Sequence, residues 1–197
     1  MVKEEIEVMF KGFCDGWNRK YEYLRAEGAS KTDKGNSFEE YFKKFLRKSR
    51  LVPLKYKILH KRRLNNINHE FDFVIIRGGF NNNLNITEVL GIIETKSHAY
   101  WAHFNDKEKF FKDFEDYISV RAQVKKLNPK INFFFINFKD KESYSKRIKE
   151  KFEEYGEDLS DYYLFNVYPT DEYDYNSFIP LYQNFERFLT NFKKLFN

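Results

Sequence analysis

Residues 71–96 read FDFVIIRGGFNNNLNITEVLGIIETK. The two ends of this stretch, 71–77 and 87–96, are rich in Ile, Val, Phe and Leu, residues that suit a pleated, half-buried surface. Between them the run GGFNNNLN at 78–85 supplies glycines and asparagines, which tolerate the positive φ that a strand connection needs. The pair reads as an antiparallel hairpin. Side chains alternate faces along a strand, so Leu90, Ile92, Glu94 and Lys96 point one way, and Asp72 shares a face with Val74 and Ile76. A connection centred near Asn83 sets Asp72 opposite Glu94, on one face and roughly 5 Å apart at Cβ. Two carboxylates and an ammonium then leave a face that is otherwise apolar. Close carboxylates repel, so the arrangement calls for a shared proton or a bound cation.

Outward from this hairpin the pattern continues. Residues 54–60 have the same extended character and complete a three-strand meander. Upstream, Ile6, Met9, Phe10, Phe13, Trp17, Tyr21 and Leu24 recur at helical spacing over 2–27, which predicts an amphipathic helix. The polar run EGASKTDKGNS at 27–37 reads as a linking loop whose end supplies Asn36 or Ser37 as N-cap of a second helix, 38–50, ending before Pro53. With Phe42 at the centre of that helix's buried face, Glu39 turns inward and Glu40 outward. Downstream, 109–127 reads as a helix stopped by Asn128 and Pro129, and 130–138 as an apolar buried strand, a β-α-β return. A charged helix near 141–155, a strand at 162–168, an acidic and aromatic loop and a helix from about Leu181 follow. No repeat or linker divides the chain, so 1–197 reads as one domain with its core at about 35–138.

The 197 residues carry a net charge of +5 and are 20% aromatic, with 23 Phe and 14 Tyr, so Phe is the main core-filling residue. The basic excess permits an anionic partner. Within it, Lys55, Lys57, His60, Lys61, Arg62 and Arg63, with Arg47, Lys48 and Arg50, form a run suited to a phosphate backbone and equally to a solvated face. His98 and His103 flank Tyr100 and Trp101 just past the Glu94-Thr95-Lys96 strand, where they would stack on nucleotides or simply pack a loop. A single cysteine, Cys14, excludes an internal disulfide. No stretch nears the roughly 20 apolar residues of a membrane span, and the acidic start does not read as a secretory leader. A cytoplasmic protein with no membrane partner is the expectation.

Glu39 on a helix, Asp72 on one strand and Glu94-Thr95-Lys96 on the next reproduce the motif order of the PD-(D/E)xK nucleases, the restriction endonuclease-like superfamily, which this chain resembles. GNSFE at 35–39 with Leu46 beyond, FDFVII at 71–76 and EVLGIIETKS at 88–97 are similar to an uncharacterised nuclease-like family within it. The resemblance covers about 35–138. It implies an α/β fold with an αβββαβ core, a mixed central sheet flanked by helices. It implies that Asp72, Glu94 and the Thr95 carbonyl bind Mg2+, for which Mn2+ can substitute, and that Lys96 assists the attacking water. Glu39 would bind a second metal or position Lys96, and Gln123 would orient substrate or site. One departure is Phe71, where the motif name carries proline.

The expectation is therefore a metal-dependent endodeoxyribonuclease, in restriction or another DNA defence, acting as a homodimer by resemblance. Its rivals are a structure-selective repair or recombination nuclease and a nucleic-acid-binding module of the same fold without catalysis. Against all three stands the plain reading of these charges as an exposed cross-strand salt bridge, worth little.

Overall fold

In the computed structural model, which describes residues 3–79, 84–97, 107–141, 149–150, 153–154, 159–168 and 179–197, one six-stranded sheet runs in chain order. The strands are β1 (Tyr56–Arg63), β2 (Glu70–Arg77), β3 (Val89–Lys96), β4 (Asn132–Lys141), β5 (Tyr162–Tyr168) and β6 (Ile179–Pro180). The first three form the antiparallel meander, β3, β4 and β5 are parallel, and β6 returns antiparallel. Four helices lie among the described residues: α1 (Lys3–Ala26), α2 (Lys31–Lys48), α3 (Lys107–Leu127) and α4 (Tyr182–Lys194). The chain is thus mixed α/β. None of these helices is long and apolar enough to cross a membrane.

Alternation along the strands builds two cores. On one face Val74, Ile76, Ile92, Phe133 and Phe135 pack with Tyr117, Ile118 and Val124 of α3. On the other, Phe73, Ile75, Ile93, Phe134, Ile136 and Phe138 meet Phe10, Phe13 and Trp17 of α1, Phe38, Phe42 and Leu46 of α2, and Phe185, Phe188 and Phe192 of α4. The aromatic wealth of the described residues is spent mostly on this second face, where rings meet edge to face, tilted or stacked.

The structure corrects three local expectations. The polar run at 27–37 is mostly helix: α2 starts at Lys31, with Ser30 as N-cap. The Ser30 hydroxyl accepts from the Asp33 amide at 3.1 Å while the Asp33 carboxylate accepts from the Ser30 amide at 3.3 Å, a reciprocal cap that starts the helix seven residues before 38. Asn36, expected as a cap, sits inside it. Strand β1 begins at Tyr56 and continues past His60 to Arg63. Leu90 does not share a face with Ile92: Ile75 pairs with Gly91 but Ile76 with Val89, so Leu90 is the extra residue of a β-bulge and packs on the opposite core. The expected charged helix near 141–155 lies mostly outside the described residues; of its span Lys149, Glu150, Glu153 and Glu154 are described, and these are helical.

Candidate active site

The bulge lies on the far side of Gly91 from the acids, so the register beyond it is clean. Phe73 pairs with Ile93 and Val74 with Ile92. Continued by one residue, this register sets Asp72 across from Glu94, on the face of Val74 and Ile92. The strands then stop pairing backbone to backbone. The Thr95 amide donates instead to Asp72 Oδ2 at 2.7 Å, and the Thr95 hydroxyl donates to the same oxygen at 3.0 Å. A carboxylate thus takes the place of the next ladder acceptor, which fixes its orientation. Its other oxygen has no hydrogen bond among the described residues.

Burial is the main cause that pushes the Asp72 carboxyl up to about 8, and repulsion from Glu94 adds to it. Lys96 opposes the shift, Glu39 adds to it, and the Thr95 amide lowers it. All four neighbours therefore act on one carboxyl. Glu94 is buried, and its Oε1 meets Nε2 of His69 at 3.3 Å. That hydrogen bond raises the His69 pKa above its ordinary value, against the opposing effect of burial. The His69 ring lies edge-on to Phe71, their centroids 4.9 Å apart. Lys96, at the end of β3, is exposed and makes no hydrogen bond or ion pair among the described residues.

The other expected members are placed as follows. Glu39 does turn inward, but His60 Nε2 lies 2.7 Å and Lys61 Nζ 3.4 Å from its Oε2. It is bound to β1 and not to Lys96. Lys61 has a positive φ of 51°, which swings its side chain to α2, where it also donates to Asn36 Oδ1 at 2.7 Å. His60 stacks on Phe73 with ring centroids 5.2 Å apart, and its Nδ1 lies 3.1 Å from Glu40 Oε1. Arg62 and Arg63 sit beside Phe71 and Glu70 at the site end of the sheet, whereas Lys57 pairs with Ile76 and Lys55 precedes it, at the other end. Gln123 is exposed, off the buried stripe of Tyr117, Ile118, Arg121 and Val124 on α3. His98, with His103, Tyr100 and Trp101, lies outside the described residues.

His69 is the site residue that strand phase does not find. It precedes β2, so alternation says nothing of it, and its one sequence cue is its place three residues before Asp72. A further titratable cluster belongs to the packing of α1. Burial pushes the Cys14 thiol up to about 12 and the Lys139 ammonium down to about 8. Lys139 Nζ donates to Asn18 Oδ1 at 2.6 Å, and Asn166 lies between Cys14 and the Phe138 carbonyl. A thiol so far from ionisation is a poor nucleophile. A groove of about 360 Å³ lined by Lys3, Glu7, Leu181 and Asn184 opens beside β6, three strands from Glu94.

Chemically, two opposed acids each have one oxygen without a hydrogen bond among the described residues, beside a strand-end ammonium. Oxygen donors of this kind suit a hard divalent cation. Asp72 and Glu94 fit such an ion in type, and their mutual repulsion favours one. Among the described residues, no three His, Cys, Asp or Glu side chains converge closely enough to hold an ion by themselves, so solvent or substrate oxygens would have to complete the shell. Compared with protein-family models, with curated proteins and with solved structures, the chain has no match.

Proposed function

We propose that the chain is a metal-dependent nuclease that hydrolyses a DNA phosphodiester, with Asp72, Glu94 and Lys96 as its centre. The observation that carries this reading is geometric: the Asp72 carboxylate, fixed by the Thr95 amide and hydroxyl, stands across from the buried Glu94 at the strand end that bears Lys96. Asp72, Glu94 and the Thr95 carbonyl would hold Mg2+. When bound, such an ion supplies Lewis acidity, lowers the pKa of a coordinated water and screens the phosphate charge. Thr95 keeps the Asp72 carboxylate from rotating, and His69 steadies Glu94. Lys96, which makes no hydrogen bond or ion pair among the described residues, donates to the attacking water or to a non-bridging phosphate oxygen. It thereby favours hydroxide and offsets the charge that builds on phosphorus. Water attacks phosphorus and gives up a proton to solvent, the bond to one bridging oxygen breaks, and that oxygen leaves with a proton taken from solvent. Glu39 acts at a distance, through its charge on Asp72. A homodimer and a setting in restriction or another DNA defence belong to the same proposal, by resemblance.

Incubation of the purified chain with supercoiled plasmid and Mg2+ or Mn2+, beside EDTA and Lys96→Ala controls, tests it. Nicking is expected with metal alone, lowered at least a hundredfold in Lys96→Ala. Nicking that survives EDTA and Lys96→Ala alike would remove the mechanism. One observation favours a second reading, a binding module of this kind without catalysis: Glu39 is occupied by His60 and Lys61 instead of joining the two acids. DNA binding with no nicking under any metal would support it.

A further inference from the structure

Residues 41–69 contain ten Lys and Arg and no Asp or Glu, although the whole chain nets only +5. The fold keeps this segregation at its periphery, since the segment spans the end of α2, the turn at 49–55 and the edge strand β1. Within it Lys43 meets Glu40 and Lys61 meets Glu39. Arg47, Lys48, Arg50, Lys55, Lys57 and the neighbouring Arg77 are exposed, and none has a carboxylate partner among the described residues.

Two ordinary explanations cover part of this patch. Cations at a helix C-terminus, here Arg47 and Lys48, suit the helix dipole. Lysines on an edge strand, here Lys57, discourage pairing with another chain. Neither accounts for Leu54. Its side chain is fully exposed, at 104%, in a turn whose Leu51 is buried, and it stands next to Pro53 with Arg50 and Lys55 on either side. Arg50 holds a left-handed φ of 54° there. An apolar side chain presented among cations matches a partner that is anionic and also has apolar faces.

We infer that this end of the molecule is a nucleic-acid docking surface, in which the cations take backbone phosphates and Leu54 contacts sugar or base. Direction favours this partner over an anionic membrane. Along the edge strand β1, exposed cations run from Lys57, which pairs with Ile76, to Arg62 and Arg63 at the end of the sheet that holds Asp72. At about 3.4 Å per residue, four residues separate Ile76 from Asp72, or about 14 Å. A duplex strand rises about 3.4 Å per nucleotide, so the patch meets phosphates about four steps from the acids. The inference rests on the nuclease reading for its substrate class but is tested without cleavage.

The experiment is fluorescence anisotropy of a labelled DNA duplex and a labelled single strand, in EDTA, across a salt series. The parent chain is compared with Arg50→Gln/Lys55→Gln/Lys57→Gln and with Leu54→Ser, each checked by thermal melting. The triple variant should bind at least tenfold more weakly, with a salt slope shallower by about 2 to 3. Leu54→Ser should weaken binding at an unchanged slope. Parent binding that neither variant alters, or no parent binding at all, overturns the surface. So does loss of adhesion to phosphatidylserine and phosphatidylcholine vesicles in the triple variant with DNA binding intact. Reduced slope in a chain that never nicks plasmid leaves the surface standing and removes only the nuclease reading.

Discussion

Burial and then the nearby Glu94 penalise a charge on Asp72 and raise its pKa, and this has a stability consequence. In the unfolded chain its pKa is the ordinary 3.8, and in the folded chain about 8. Between those values the native state binds a proton that the unfolded chain has released, so stability falls as pH rises through the window and levels off above about 8. Asp72→Asn carries no such charge. In EDTA its melting temperature should match the parent's near pH 4 and exceed it by about 5 °C or more at pH 8, since roughly 2 to 4 °C accompany each kcal/mol at this size. A constant gap across pH would show that Asp72 is not the group responsible. His69 gives a second test at this scale. Removing the ring that holds Glu94 Oε1 should weaken Mg2+ binding about tenfold or more, as loss of a residue that steadies a ligand commonly does. Mg2+-dependent thermal shift of His69→Ala reads it directly, and parent-like affinity would leave His69 a packing residue.

Elements show where local chemistry outran hydrophobic pattern. The meander, the β-α-β return and the strand at 162–168 were legible because Ile, Val, Phe and Tyr alternate or run together there, and nothing competes with that signal. The start of α2 was not, because its first two turns are polar and contain Gly35, which resembles a loop by composition. What starts the helix is the reciprocal bonding of Ser30 and Asp33, a pair three residues apart that a composition reading passes over. Ser30→Ala should therefore lower stability by about 1 kcal/mol, measured by urea unfolding, whereas Asn36→Ala and Ser37→Ala, at the positions first expected to cap, should change it less. The bulge at Leu90 escaped for a related reason. Strict alternation assumes equal spacing on both strands, and a one-residue excess is invisible in the apolar run at 89–93. Gly91 marks it only after the fact, where an added Cβ would stand 3.0 Å from Leu195 Cδ1. The register that, continued by one residue, sets Asp72 across from Glu94 is untouched, because the bulge falls outside the segment that sets it.

At the scale of the molecule, the acids sit at one end of a sheet whose two faces are covered very differently. One face has α3, and the other carries α1, α2 and α4 packed through a continuous aromatic layer. Helical periodicity located α1, but not the load it bears, since sequence spacing cannot say how many elements one ring touches. Trp17 is fully buried and lies against Phe38 and Tyr41 of α2, at 4.9 and 5.7 Å between centroids. Phe38 in turn meets Phe138 of β4. Helix α1 is thus packed into the aromatic layer that covers this face of the sheet. Trp17→Ala removes a large side chain from a layer that cannot close over the void, at a cost of about 3 to 5 kcal/mol. At this chain length the melting temperature should fall by roughly 10 °C, as far as for Phe42→Ala in the middle of α2. A drop of only a degree or two, with α2 and the sheet unperturbed by hydrogen exchange, would show that α1 docks late and loosely. The site would then depend on the sheet and α2 alone, and a chain beginning at Gly28 would keep whatever nicking activity the full chain has.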